Sequence, residues 1–113
     1  MGKTRAVSGF DLVEMQAHAG EAAKLLKALA NERRLQVLCL LAGGERSVGD
    51  INALLDLSQS ALSQHLAVLR EEGLVQTRRD AQLVYYSLAP GPAAAVMATL
   101  HGIYCGAGDA RTP

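Results

Sequence analysis

The sequence predicts a mainly α protein that carries one β-hairpin between its fourth and last helices, and three observations lead there. Apolar residues recur at steps of three and four over 11–30 and in shorter stretches after it. Residues that cap helices stand before those stretches, and glycines stand after several of them. Past Gly73 the helical period gives way to alternation, which Pro90 and Pro92 end.

In order, Leu12, Met15, Ala19, Ala22, Leu25, Leu26 and Leu29 form one apolar stripe over Asp11–Ala30, with Lys24 and Lys27 outward. Asn31 caps a second helix from Glu32 to about Ala42, closed by Gly43–Gly44. Ser47 starts a third, with Asp50 in the capping-box position and Ile51, Leu54 and Leu55 inward. The connector Asp56–Leu57 leads to Ser58, the cap of a fourth helix that runs to Glu72 and stops at Gly73. Leu74, Val75 and Thr77, a turn at Asp80–Ala81, and Leu83 to Leu88 make the hairpin. Pro92 opens the first turn of a last helix, Ala93 to about Cys105.

Composition removes several classes of protein. At 113 residues the chain is one domain, expected over 10–105 between flexible tails at 1–9 and 106–113. It is 50% hydrophobic and 19% charged, far from the disordered regime. A chain this size buries only about two-thirds of its unfolded surface, so a second subunit covering apolar faces is expected. The longest apolar run, within Ala93–Leu100, falls well short of the roughly 18 residues that cross a bilayer. No apolar segment follows Met1–Ala6, and Ala6 stands where myristoylation needs Ser or Thr, so the protein is expected to be cytoplasmic and away from membranes. Two cysteines are too few for a secreted disulfide scaffold. Cys-x-x-Cys, His-Glu-x-x-His, a phosphate loop and a nucleophile elbow are all missing, so neither an enzyme nor a bound cofactor is expected.

Two helices joined by a short turn and followed by a hairpin are the element order of a winged helix-turn-helix, whose second helix enters the DNA major groove. On the fourth helix Leu62, Leu66 and Leu69 line one face and leave Gln59, Ser60, Ser63 and Gln64 on the other. Gln pairs bidentately with adenine edges, Ser adapts to several bases, and Ser58 opens a helix end that favours phosphate. No Lys or Glu interrupts this face, unlike an ordinary solvated helix. His65 borders it within reach of a phosphate, and Arg78 and Arg79 lie at the hairpin tip, where a wing touches backbone or minor groove. Taken singly, the arginine pair also fits a solubilising role. Arg33, Arg34, Arg46 and Arg70 fit structural pairing with nearby glutamates.

The segments Ala28-Leu29-Ala30-Asn31-Glu32-Arg33-Arg34-Leu35, Leu57 to Leu66 and Leu69-Arg70-Glu71-Glu72-Gly73-Leu74-Val75 resemble the ArsR/SmtB-type bacterial repressors. The resemblance spans about 15–105. It implies a homodimer joined through its first and last helices, bound to an imperfect inverted repeat of double-stranded operator DNA and released by an inducer.

The thiols, read from their positions alone, fit either packing or function. Cys39 follows Leu35 by one turn, which predicts that it shares an inward face, and Cys105 follows His101 by one turn. Both common metal patterns of the family are missing: Leu40 and Leu41 follow Cys39 where a Cys-x-Cys is needed, and the last helix offers only His101. One cysteine in the second helix and one closing the last resemble the BigR/SqrR-type branch. That resemblance implies sensing of reactive sulfur species, persulfide or polysulfide, through a Cys39–Cys105 bridge that releases the operator. The alternative is a metal- or metalloid-responsive repressor in which the same cysteines, with His101, take a soft metal or arsenite.

Overall fold

A computed structural model describes residues 11–106. The expected N-terminal tail and all of the expected C-terminal tail except Gly106 lie outside the described residues. The elements are α1 (Leu12–Leu29), α2 (Glu32–Ala42), β1 (Arg46–Ser47), α3 (Val48–Leu54), α4 (Gln59–Glu71), β2 (Val75–Asp80), β3 (Leu83–Leu88) and α5 (Pro92–His101). A single π-helical turn, Gly102–Gly106, continues α5.

The caps predicted from side-chain chemistry at Asn31, Ser47 and Ser58 form, and Asp11, read as the first residue of the opening helix, adds a fourth. Asp11, Asn31, Ser47 and Ser58 each stand in extended backbone and accept the N–H three residues on, which satisfies a donor the helix cannot use. At the end of α4, Gly73 takes φ +72°. There Leu74 N–H donates to Leu69 O at 2.9 Å and Gly73 N–H to Arg70 O at 3.0 Å, a Schellman closure that turns the chain into β2.

The core lies where α2, α3, α4 and α5 meet the root of the hairpin. Val37, Leu38, Ile51, Leu62 and Leu69 are fully buried, joined by Leu41, Leu66, Leu74, Val75, Ala93 and Met97. Among the described residues every buried side chain is apolar. This core holds α4 by one face and leaves the other free.

Four expectations change. The hairpin is the larger part of a three-stranded antiparallel sheet of order β1-β3-β2, because Arg46–Ser47 pairs with Tyr85–Tyr86. The turn is Ala81–Gln82, since Asp80 still pairs with Leu83, and Ala81 takes the positive φ of 58° that this turn requires. The last helix ends as α-helix at His101. Finally, Leu12, Met15, Leu26 and Leu54 are exposed, because among the described residues nothing packs over the outer face of α1 or the end of α3.

Candidate nucleic-acid interface and thiol pocket

The turn between α3 and α4 is held from two sides. Asn52 Nδ2 donates to Leu57 O at 3.4 Å, and Arg33 on α2 donates to Asp56 O at 3.4 Å. Leu57 N–H returns to Leu55 O at 2.9 Å. Ser58 then caps α4, its Oγ accepting from Ala61 N–H at 3.1 Å, which leaves the hydroxyl its proton and one lone pair for a ligand. Gln59, Ser60, Ser63 and Gln64 all stand exposed on the face away from Leu62, Leu66 and Leu69. A row of small and amide side chains without a charge can meet base edges at close range.

His65 is half-buried at the border of this face. Desolvation, and then the positive charges of Arg34 and Arg33, push its pKa below the ordinary imidazole value. It therefore stands neutral at physiological pH, a hydrogen-bonding group at the position expected to lie within reach of a phosphate.

The two wing arginines differ. Arg78 donates from Nε and Nη2 to the two carboxylate oxygens of Glu45 at 2.9 and 2.8 Å, and its guanidinium lies 4.7 Å from the Tyr85 ring centroid. Asp80 is a further 3.9 Å neighbour. Hydrogen bonding from Arg78 holds the Glu45 carboxyl below the usual range, and the same bond raises the guanidinium. Arg78 thus straps the wing to the loop before β1 and is not free at a tip. Arg79, opposite Val84 and on the other face of the strand, is exposed and has no ion pair among the described residues.

Of the arginines read as structural, Arg33 and Arg34 are tied within the chain. Arg34 Nε donates to Ala28 O at 2.6 Å and its Nη2 to Lys27 O at 3.4 Å, closing the end of α1. Arg33 donates to Gln36 Oε1 at 3.0 Å as well as to the turn.

Both cysteines are free and exposed, which corrects the inward placement of Cys39: the buried face of α2 is Val37, Leu38 and Leu41. The two thiols share one open pocket of about 500 Å³. Glu32, Leu35, Gln36 and Cys39 supply one wall, at i, i+3, i+4 and i+7 of α2. Met97, Leu100, His101, Tyr104 and Cys105 supply the other, in the same rhythm along α5 and the π-turn. Met97, Leu100 and Tyr104 carry no role in the sequence reading; counting back in fours from Cys105 finds Met97, whereas Leu100 and Tyr104 stand five and one positions before it and join the wall through the spacing from Met97.

A helix-turn-helix with an uncharged polar recognition face, beside a β-wing, defines the winged-helix class of DNA-binding transcriptional regulators. The chain belongs to the ArsR family of bacterial regulatory proteins, whose family model matches residues 31–77. It is 54% identical over 95 residues to the transcriptional activator HlyU of Vibrio cholerae, covering 84% of this chain and 88% of that one. The biofilm growth-associated repressor of Agrobacterium fabrum is 49% identical over 94 residues, covering 83% and 80%. Reduced HlyU from V. cholerae superposes with a TM-score of 0.78 over 83% of this chain and 99% of that one. The transcriptional repressor BigR from Xylella fastidiosa also gives 0.78, at 40% identity over 85% and 98%. These relatives are DNA-binding regulators and not enzymes, and this chain is a transcriptional regulator of their family. No helix among the described residues is long and apolar enough to cross a membrane.

Proposed function

We propose that this protein is an operator-binding repressor that responds to reactive sulfur species through Cys39 and Cys105. The observation that carries the reading is the shared pocket: two exposed thiols, 66 positions apart in sequence, line one cavity. Gln59, Ser60, Ser63 and Gln64 read bases, Ser58 and Arg79 meet the backbone, and a homodimer sets two α4 helices one DNA turn apart, roughly 34–36 Å. The exposed apolar residues of α1, with Ile103 of the π-turn, supply the dimer seam.

Chemically, one cysteine thiolate attacks the outer sulfur of a hydropersulfide, RSSH; the S–S bond breaks, RS⁻ leaves, and a cysteine persulfide remains. The second cysteine thiolate attacks the inner sulfur of that group and expels HS⁻, leaving a disulfide. Overall, two thiols and one RSSH give the disulfide, RSH and hydrogen sulfide, with the sulfane sulfur as oxidant. A second RSSH lengthens the chain to a trisulfide, with one more RSH released, and eases the Cα separation that a plain disulfide demands.

A hydrogen-bonded path supports coupling to DNA. Gln36 lines the pocket, Arg33 bonds Gln36 and the carbonyl of Asp56, and Asp56 stands two residues before the cap of α4. A hundredfold fall in operator affinity needs about 2.7 kcal/mol of such coupling. The metalloid reading has less support, since among the described residues no three His, Cys, Asp or Glu side chains are grouped to hold a metal ion. Denatured mass after treatment with a persulfide donor, run beside an operator gel shift, tests the proposal. Bridging that removes two hydrogens for the disulfide, or adds one sulfur beyond that for the trisulfide, and that releases DNA, is expected. Unchanged binding after bridging, or a Cys39→Ser variant that still responds, refutes it; a ligand lost on denaturation points to a metal.

A further inference from the structure

The walls of the thiol pocket also bear on which sulfur donor reacts, an inference that rests on the sulfur-responsive reading above. The lining surface is mostly apolar and includes Leu35, Met97, Leu100 and the Tyr104 ring. The ionisable groups there, besides the thiols and the tyrosine, are Glu32 and His101, and among the described residues neither Lys nor Arg lines it. The guanidiniums that follow Glu32 stand outside the lining and are engaged, Arg33 behind the wall with Gln36 and Asp56 O, Arg34 with Ala28 O and Lys27 O. A carboxylate entering the pocket therefore meets apolar surface, the Glu32 carboxylate and the His101 imidazole, with no guanidinium or ammonium in the lining to receive it.

We infer that the pocket selects donors by their organic body, favouring hydropersulfides with uncharged, apolar bodies over those with anionic bodies such as glutathione hydropersulfide. The reacting group is the same in both, so discrimination lies in the body. Each methylene moved fully from water into an apolar wall favours binding by about fourfold. A like charge at an exposed rim disfavours it by up to about fivefold, an effect that salt weakens. The sulfur transfer is the step written above: the thiolate takes the outer sulfur, and the apolar thiolate leaves.

The test measures the rate of bridge formation by acid-quenched mass with a short linear alkyl hydropersulfide and with glutathione hydropersulfide. Each rate is divided by that donor's rate with free cysteine, so intrinsic reactivity cancels. The normalised alkyl rate is expected to be at least about tenfold the glutathione rate. Glu32→Gln, at an exposed position, should raise the glutathione rate about threefold at low ionic strength and leave the alkyl rate unchanged. Leu100→Lys, which adds a cation to the wall, should narrow or invert the preference. Equal normalised rates in the wild type, or a Glu32→Gln variant that speeds both donors alike, overturn the selectivity and leave the sensing intact. Failure of both donors to form a bridge overturns the sensing as well.

Discussion

Along α4 three leucines are buried, the helix start is capped by Ser58, and the turn before it is held by Asn52 and Arg33. Along the longer α1 only Ala28 and Leu29 are buried, while Leu12, Val13, Met15 and Leu26 remain more than half exposed. The recognition half is completed by its own chain, whereas the α1 half presents apolar surface to whatever covers it. Single substitutions in the two halves should fail differently. Leu62→Ala removes a fully buried side chain and should cost about 3 kcal/mol in urea unfolding, at any protein concentration. Leu26→Asn should leave the monomer's stability nearly unchanged and weaken self-association in sedimentation, so that apparent stability falls more at high concentration, where the proposed dimer would form. Equal, concentration-independent losses would break the contrast.

The caps sharpen it at smaller scale. Ser58 accepts from Ala61 N–H at 3.1 Å and Asp11 from Glu14 N–H at 3.2 Å, chemically alike. Ser58→Ala should cost about 1 kcal/mol of global stability, because α4 unfolds with the core. Asp11→Ala should hardly move the global transition and should instead speed amide exchange in the first turn of α1, which opens locally. Global losses of the same size from both would show that α1 is integral to the core.

The same division governs what the sequence revealed. Caps, closing glycines and alternation are local signals, so α2 to α4 and the hairpin were legible from Asn31, Ser47, Ser58 and Gly73. β1 was not, because two residues carry no period and Arg46–Ser47 becomes a strand only by pairing with β3. The stripe on α1 was legible as amphipathic, but a pattern does not say whether its own chain covers it. At the site, the free face of α4 could be read from Leu62, Leu66 and Leu69. The strap from Glu45 to Arg78 could not, since 33 positions separate them. Cys39 was assigned a face from Leu35 alone, whereas packing set the buried face at Val37, Leu38 and Leu41.

The smallest predicted effects follow from titration within the recognition half. Burial, then Arg34 and Arg33, lower the pKa of His65 below its ordinary 6.5, so the unfolded chain takes up the proton first as pH falls. Stability should decline as pH drops below about 6.5, and the decline should stop once pH is below the folded value. The lowered Glu45 carboxyl adds a second, separate decline: its contribution is present above the ordinary 4.5 and is lost as pH falls through the folded value, when the bond to Arg78 goes. Urea midpoints from pH 8 to 3 should therefore fall in two steps, the first removed by His65→Gln and the second by Glu45→Gln. Because His65 lies on α4 and Glu45 is hydrogen-bonded to the wing, amide exchange should quicken there before it does in α1. A first step that persists in His65→Gln would assign the acid sensitivity to another group and remove the argument that His65 is held neutral beside the recognition face.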